Sequence, residues 1–132
     1  MKAGEIEQKI ISLRALVKKK LPVKLNYAIV KNLIELEKEY QNIKNQRMTI
    51  LENSCKKDSE GKPEIDAENN FVFETNEAKN TAIAEVTELF DMDIELNLTK
   101  VKLDIVEKCD TVERYDAITG EDLYALDFMI EE

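Results

Sequence analysis

The sequence contains no histidine and no tryptophan among its 132 residues, and it has only three glycines and two cysteines. Without histidine, the chain cannot form Ser-His or Cys-His nucleophilic pairs, His-ligated zinc sites or the commonest general base. Gly4, Gly61 and Gly120 are too dispersed to form a phosphate-binding loop. Cys55 and Cys109 lack the spacing of a metal or redox motif, so we expect two reduced thiols. These absences disfavour an enzyme.

Long apolar runs are also missing. No run approaches the ~20 residues that a membrane span needs, and charged residues interrupt the N-terminal segment MKAGEIEQKIISL, unlike a secretory signal. Hydrophobic residues make up 43% of the chain and charged residues 36%, which is typical of a folded domain with a well-solvated surface. We therefore expect one domain over residues 1–132 that acts in the cytoplasm and not at a membrane.

Charge is divided unevenly along the chain. Residues 1–57 hold 13 Lys+Arg and 6 Asp+Glu, net +7, whereas residues 58–132 hold 6 and 22, net −16. Charge distribution governs steering and the choice of partner rather than the fold, so this asymmetry indicates a binding function. We interpret residues 1–57 as a basic helical hairpin and residues 58–132 as an acidic α+β part.

Apolar spacing predicts two helices in the basic part. The first covers about residues 4–20, with an inward face of Ile6, Ile10, Leu13 and Val17, and it ends before Pro22. The second covers about residues 23–55 and is about 50 Å long. Its apolar seam alternates steps of four and three residues: Ile29, Leu33, Leu36, Tyr40, Ile43, Arg47 and Ile50. Either the first helix covers this seam or another chain does, for example in a homodimer through residues 29–50.

The acidic part predicts short, mixed elements. A β-hairpin pairs residues 64–66 with 71–73, and a helix over about residues 77–90 is capped by Thr75 or Asn76, with Ile83, Val86 and Phe90 aligned on one face. Strict alternation predicts a strand over residues 91–98, while residues 101–109 fit either a strand or an irregular helix. Thr119 and Asp122 form a capping box that opens a last helix, with Leu123, Leu126 and Ile130 inward. The expected fold is α+β and mostly α, with a long helical hairpin, a small β-hairpin or sheet and a C-terminal helix.

Two acidic sets and one basic patch are the candidate binding residues. The acidic sets are Asp91, Asp93 and Glu95, and Asp110, Glu113 and Asp116; the basic patch is Lys18, Lys19, Lys20 and Lys24. The first set begins like a calcium loop, but Leu96 replaces its glycine and Lys102 its final glutamate. Three carboxylates on one strand face could share Mg²⁺, but a solvated polar face explains them more simply. We expect no metal and no cofactor.

Several segments carry a resemblance to a known family. They are LPVKLNYAIVKNLIELEKEYQ, GKPEIDAENNFVF, LFDMDIEL and the closing ITGEDLYALDFMIEE. Together they resemble a family of small uncharacterised proteins encoded by phages and prophages of low-GC Gram-positive bacteria. The resemblance covers nearly the whole chain except residues 101–118. It implies a phage-related protein in the cytoplasm of a bacterial host cell, and it carries over no catalytic or binding residue.

Phage context and an ordered acidic surface lead to a functional hypothesis. Ordered carboxylates can occupy a groove that evolved for phosphates. We expect a non-enzymatic protein-binding module that inhibits a host nucleic-acid-handling defence complex, such as a nuclease or a CRISPR effector, in the manner of an anti-CRISPR protein. The alternative is a phage assembly or scaffold accessory protein that docks through its long helix. Direct nucleic-acid binding through the lysines is disfavoured, since short lysine runs are common and cations suit a helix C-terminus.

Overall fold

A computed structural model describes residues 1–131 of the chain, and most of them lie in α-helices. The regular elements in chain order are α1 (Ile6–Val17), α2 (Val23–Ser54), α3 (Asn76–Asp91), β1 (Val101–Lys102), α4 (Leu103–Thr111), α5 (Gly120–Leu126) and β2 (Ile130–Glu131). Short 3-10 turns precede α1 and follow α5. The predicted fold class is confirmed. Within residues 1–131, none of the helices combines the length and apolar character of a membrane span.

The chain forms two compact units, and their division does not follow the charge boundary after Lys57. Unit 1 contains Met1, Glu5–Tyr40 and the chain from Glu95 onward, and unit 2 contains Lys2–Gly4 and Gln41–Ile94. By sequence, unit 1 holds 12 basic and 16 acidic residues, net −4, and unit 2 holds 7 and 12, net −5. Both units are therefore acidic, because unit 1 combines basic residues before Tyr40 with part of the acidic half.

In unit 1, α1 and the first part of α2 form the helical hairpin. Helix α1 buries Ile6, Ile10, Leu13 and Leu16. The sequence placed Val17 on this face, but Val17 is exposed; it is the last helical residue, and Leu16, three residues after Leu13, fills the position. The helix is also shorter than predicted at both ends. Arg14 of α1 contacts Glu37 of α2, with 2.7 Å between Nη2 and Oε1.

Helix α2 is the longest element, with 32 residues and a length of about 48 Å. Four of the seven predicted seam residues are buried: Ile29, Leu33, Leu36 and Ile43. Tyr40 and Ile50 are half-buried and Arg47 is exposed. The described chain itself thus covers most of the predicted seam, and a homodimer through residues 29–50 remains a prediction.

The predicted strand over residues 91–98 is wrong. Asp91 is the last residue of α3, and only Asp93 makes a β-bridge, to Lys2. In unit 1, side chains of α2 hydrogen-bond the backbone near the end of this segment, at Asn97 and at Thr99 just beyond it. Asn32 Oδ1 accepts from the N–H of Thr99 at 2.7 Å, and Asn32 Nδ2 donates to the Thr99 carbonyl at 2.9 Å. Alternating burial can therefore occur without a strand.

The remaining elements of unit 1 follow this segment. Residues 101–111 form β1 and then α4, which resolves the predicted ambiguity. Strand β1 pairs in parallel with β2. The predicted capping box of Thr119 and Asp122 is confirmed at the start of α5.

The inward face predicted for the last helix is only partly correct. Leu126 is buried as predicted, but Leu123 is 42% exposed. Ile130 lies in β2 and not in the helix, because α5 ends at Leu126. Met129 fills the buried position instead.

Unit 2 contains the predicted hairpin as an isolated bridge between Ile65 and Phe71, and a second, unpredicted bridge joins Lys57 and Pro63. Asn69, with a φ of 64°, supplies the left-handed residue in the turn of the first bridge. The Thr75 side chain caps α3, as predicted, by accepting from the Ala78 N–H at 3.0 Å. Ile83, predicted to point inward, is 49% exposed, and its neighbour Ala82 takes the buried position.

Candidate docking surface

Helix α2 carries a second apolar stripe, in unit 1, that the described chain leaves open to solvent. Its members are Val23, Tyr27, Val30 and Ile34, which follow steps of four, three and four residues. Their exposed fractions are 82%, 61%, 42% and 63%. Side chains at this spacing lie on one helical face. This stripe spans about 16 Å of helix, which is three turns.

A row of lysines follows one edge of the stripe. Lys24, Lys31 and Lys38 are exposed and recur every seven residues. The first two directly follow Val23 and Val30, and Lys38 lies four positions after Ile34. The Nζ of Lys31 lies 5.7 Å from the centre of the Tyr27 ring, a cation-π distance. The other edge of the stripe carries no such row, since Leu33 lies there and is buried. We call the four apolar residues and these three lysines the docking face.

Two grooves adjoin the N-terminal end of the docking face, and both are lined by Val23 and Tyr27. The larger has a volume of about 670 Å³ and extends to β1 and α4. Its charged lining residues are Lys24, Lys100, Lys102, Lys108, Asp104 and Glu131. The smaller groove, of about 350 Å³, is lined by Val17, Leu21, Val30 and Asn26 in addition. With four lysines and two carboxylates, the larger groove is a basic region in an acidic unit.

Asn26, which lines the smaller groove, has an unsatisfied side-chain oxygen. Its Oδ1 is buried, and it has no hydrogen-bond partner among residues 1–131. A buried acceptor without a partner costs about 1–3 kcal/mol.

The first predicted acidic set lies on both sides of the unit division. Asp91 and Asp93 belong to unit 2 and Glu95 to unit 1, and all three are exposed. Asp91 Oδ1 is 4.0 Å from Lys2 Nζ. The structure therefore leaves these carboxylates accessible, but not on the solvated face of a strand as the sequence analysis expected.

The second acidic set lies beside the basic patch in unit 1. The backbone N–H of Asp116 donates to the Lys20 carbonyl, and Asp116 Oδ2 accepts from the Lys20 N–H, both at 2.8 Å. Asp110 Oδ1 is 3.4 Å from the N–H of Ile118. Glu113 is exposed. Asp116 is thus a structural contact, and Glu113 is the member of this set that is most available to a partner.

The basic patch is partly neutralised within unit 1. Lys19 Nζ lies 2.5 Å from Asp122 Oδ2 and 3.3 Å from the Ala117 carbonyl. Burial opposes ionisation of Asp122, but hydrogen bonds from Lys19 and Thr119 outweigh it and lower the pKa of this carboxyl group. Lys18 and Lys20 have exposed side chains, and Lys24 belongs to the docking face. Of the four lysines, Lys19 is thus engaged within unit 1, and binding through the other three stays a prediction.

Cysteine and carboxylate side chains are the remaining candidates for chemistry in the described part of the chain. Cys55 and Cys109 are both free and buried. Burial, together with the nearby Asp110, raises the pKa of the Cys109 thiol, which keeps it protonated at neutral pH. Within residues 1–131, no three Asp, Glu or Cys side chains are grouped so that they could hold a metal ion.

Sequence reasoning missed the docking face, although its signal is present. Val23, Tyr27, Val30 and Ile34 repeat the same four-three alternation as the predicted seam. Lys24, Lys31 and Lys38 repeat with a period of seven beside it. The described chain buries most of the predicted seam and leaves this second apolar face exposed.

Comparison of the chain with protein-family models, with curated proteins and with solved structures finds no match.

Proposed function

We propose that this protein is a non-enzymatic protein-binding module that contacts its partner through the docking face on α2. The observation that carries the proposal is the exposed stripe of four large apolar side chains over three helical turns. Single exposed apolar residues are common, but a contiguous stripe with a charged edge is typical of a binding surface. The alternative hypothesis from the sequence also has a phage accessory protein dock through its long helix, but through the seam that contains Leu36 and Ile43, which is buried here.

Three features of unit 1 support a protein as the partner. The stripe consists mainly of branched aliphatic side chains, which suit the apolar face of a peptide helix. Tyr27, at its centre, combines a large contact area with a polar hydroxyl group, as interface aromatics often do. The adjoining grooves provide concave surface for side chains of a partner. The cellular context we propose is the cytoplasm of a bacterial host, during phage infection or assembly.

Site-specific photo-cross-linking tests this proposal directly. A photo-reactive amino acid replaces Ile34, on the docking face, or Tyr124, which is 80% exposed on α5 and serves as the control. Each version is expressed in a low-GC Gram-positive host, with and without phage infection, and cross-linked proteins are identified by mass spectrometry. We expect one protein to be joined at position 34 and not at position 124, and Val30→Asp to abolish the cross-link. Equal products at both positions would contradict a specific docking face.

The identity of that protein separates two roles for the module. Virion proteins recovered only after infection would indicate an assembly or scaffold accessory function. A host nuclease or CRISPR effector would indicate inhibition of a defence complex. Purified protein should then reproduce the contact with the identified partner, and Val30→Asp should weaken it.

The second candidate function is the acidic inhibitor of a host nucleic-acid-handling defence, with carboxylates in place of phosphates. Two observations favour it: both units are net acidic, and Asp91, Asp93, Glu95 and Glu113 are exposed. Such binding would weaken with salt, since exposed charges are screened over ~10 Å at about 0.1 M. The anti-CRISPR role would use these carboxylates and not the docking face.

Charge reversal distinguishes this second candidate. Asp91→Lys, Asp93→Lys and Glu95→Lys together should abolish inhibition of a purified nuclease or effector if these carboxylates make the contact. The matched control reverses Glu77, Glu85 and Glu88 on α3, three exposed glutamates, and therefore changes the net charge by the same amount. Equal loss in both triple variants would show that only net charge matters, and unchanged inhibition in both would exclude a contact through Asp91, Asp93 and Glu95.

A further inference from the structure

We infer that the docking face binds an acidic amphipathic helix of a partner protein, seated along the stripe with its carboxylates on the lysine row. This inference rests on the proposed function and adds the chemistry of the partner. Its basis is the juxtaposition of four exposed apolar side chains with three lysines that run parallel to them. An unpartnered helical face with one apolar seam and one charged edge matches a helix with the same seam and the opposite charge.

The geometry of the stripe favours a helix as the occupant. Val23 and Ile34 are separated by about 16 Å along α2, and the stripe residues alternate steps of four and three. A second helix crossing at a shallow angle presents its own side chains at i, i+3, i+4 and i+7, which interdigitate with this spacing. The larger groove continues from Val23 and Tyr27 to Lys102 and Lys108, so the partner's carboxylates also meet lysines beyond the end of the stripe.

The lysine row disfavours a second copy of this chain as the occupant. Pairing of α2 with itself in antiparallel orientation would place Lys24, Lys31 and Lys38 opposite the same lysines of the other copy. Like charges at facing edge positions destabilise a helix pair. A parallel pair would need the other edge of the stripe, where Leu33 is buried in the core of unit 1.

A nucleic acid fits the docking face less well than an acidic helix. Bases stack on aromatic rings, and Tyr27 is the only aromatic residue of the four in the stripe. The chain has a net charge of −9, so a polyanion would be repelled at long range. A helix with a few carboxylates beside an apolar seam gains the contact with the lysine row while carrying much less negative charge.

A pair of designed peptides tests the inference. Each has about 18 residues, enough to span the stripe as a helix, with leucines at alternating steps of three and four. One carries glutamates on both edges of the seam, and the other carries lysines at the same positions. Fluorescence anisotropy of labelled peptide measures binding to the full-length protein. We expect the glutamate peptide to bind at least about tenfold more tightly at low salt, and the difference to shrink above about 0.5 M salt.

Variants of the full-length protein locate the contact. Lys31→Glu combined with Lys38→Glu should weaken the glutamate peptide about tenfold and strengthen the lysine peptide, because two edge charges change sign. The matched control is Lys18→Glu combined with Lys44→Glu, two exposed lysines outside the docking face, and it should leave the preference unchanged. Val30→Asp should weaken both peptides.

Each outcome separates this inference from the proposed function. Equal binding of the two peptides, with loss on Val30→Asp, would overturn the acidic partner but retain the docking face. Binding of neither peptide would overturn the acidic helix as occupant, while the cross-link at position 34 would still report whether a protein docks there. A preference for the glutamate peptide that is unaffected by Lys31→Glu and Lys38→Glu would place the contact elsewhere and would also overturn the inference.

Discussion

The two apolar faces of α2 have the same spacing, and only one of them is covered. The inner face places Leu25, Ile29 and Leu36 at zero exposure, whereas on the outer face Val23 and Ile34 are more than 60% exposed. The difference arises from what lies opposite each face: on the inner side Asn32 contacts Thr99 and Met129 of unit 1, and the described chain leaves the outer side open. Apolar periodicity identifies a face that can be buried, but the surrounding segments decide whether it is buried within the chain.

The strongest way to break this comparison is to place the same charge on both faces. Leu36→Asp puts a carboxylate in a fully buried position, where the cost in unfolding free energy should exceed about 4 kcal/mol, and the domain should lose its fold. Ile34→Asp, two residues away on the outer face, should leave the fold intact and abolish docking. Far-UV circular dichroism and urea titration distinguish the two variants.

Ile43→Asp extends the test along the inner face, since Ile43 is buried in the second part of α2. Loss of structure in Leu36→Asp and Ile43→Asp would show that the seam is intramolecular core. A folded but monomeric Leu36→Asp variant of a dimeric wild-type protein would instead indicate that the seam joins two copies.

Substitution of a polar residue on the inner face, Asn32, should have the next largest effect on the unfolding free energy. Asn32 is completely buried, and its side chain pairs with both the N–H and the carbonyl of Thr99. Asn32→Ala should lower the unfolding free energy by about 2–4 kcal/mol, because two half-buried backbone groups of Thr99 lose their partners and the buried Asn32 side chain is removed. Urea titration measures this change. Asn42→Ala, at an exposed position of the same helix, is the control and should change it by less than about 0.5 kcal/mol; equal effects would contradict the role of the Thr99 contacts.

The features that could be predicted from the sequence depend on neighbouring residues. The Thr119 and Asp122 capping box, the Thr75 cap and the break before α2 at Pro22 are each encoded within a few positions. The long helix was predictable for the same reason, since its spacing continues over many turns. Local signals therefore determined the helices well.

The features that could not be predicted depend on distant residues. Asn32 meets Thr99 across 67 positions, and Lys19 meets Asp122 across 103. The first contact joins α2 to the backbone just after the predicted strand, and the second engages a lysine of the predicted basic patch. The six candidate acidic residues are all exposed, and their role in binding stays a prediction; the structural role of Asp116 required knowledge that Lys20 lies beside it.

The contact between Lys19 and Asp122 should have a smaller effect on the unfolding free energy than Asn32, and this effect should depend on pH. Asp122 joins the α5 capping box to Lys19, so Asp122→Ala should cost about 1–2 kcal/mol of unfolding free energy. The pKa of Asp122 is lower in the folded state than in the unfolded chain, where it is about 4. Its ionised form therefore stabilises the fold above about pH 4, and this contribution disappears as the pH falls through the folded-state pKa.

Urea titrations of wild type and Asp122→Ala between about pH 3 and pH 7 measure this dependence. The difference between the two proteins should be largest near neutral pH and should shrink below about pH 4. Asp127→Ala, at an exposed position just after α5, is the matched control and should show a smaller difference. A gap between wild type and Asp122→Ala that is constant over this range would contradict the role of the Lys19 contact.

The outer face should give the smallest effect on stability, and this result sharpens the comparison most. Ile34→Ser removes an apolar side chain that is already 63% exposed, so the unfolding free energy should change by less than about 1 kcal/mol. The same substitution should weaken docking, because in the complex that side chain is buried. Ile34 therefore contributes little to the stability of the chain itself. Binding to a partner, and not the fold, explains why an apolar side chain is exposed at this position. Urea titration and peptide anisotropy on the same preparation measure both quantities, and a loss of stability equal to that of a buried isoleucine, about 2–5 kcal/mol, would place Ile34 in the core.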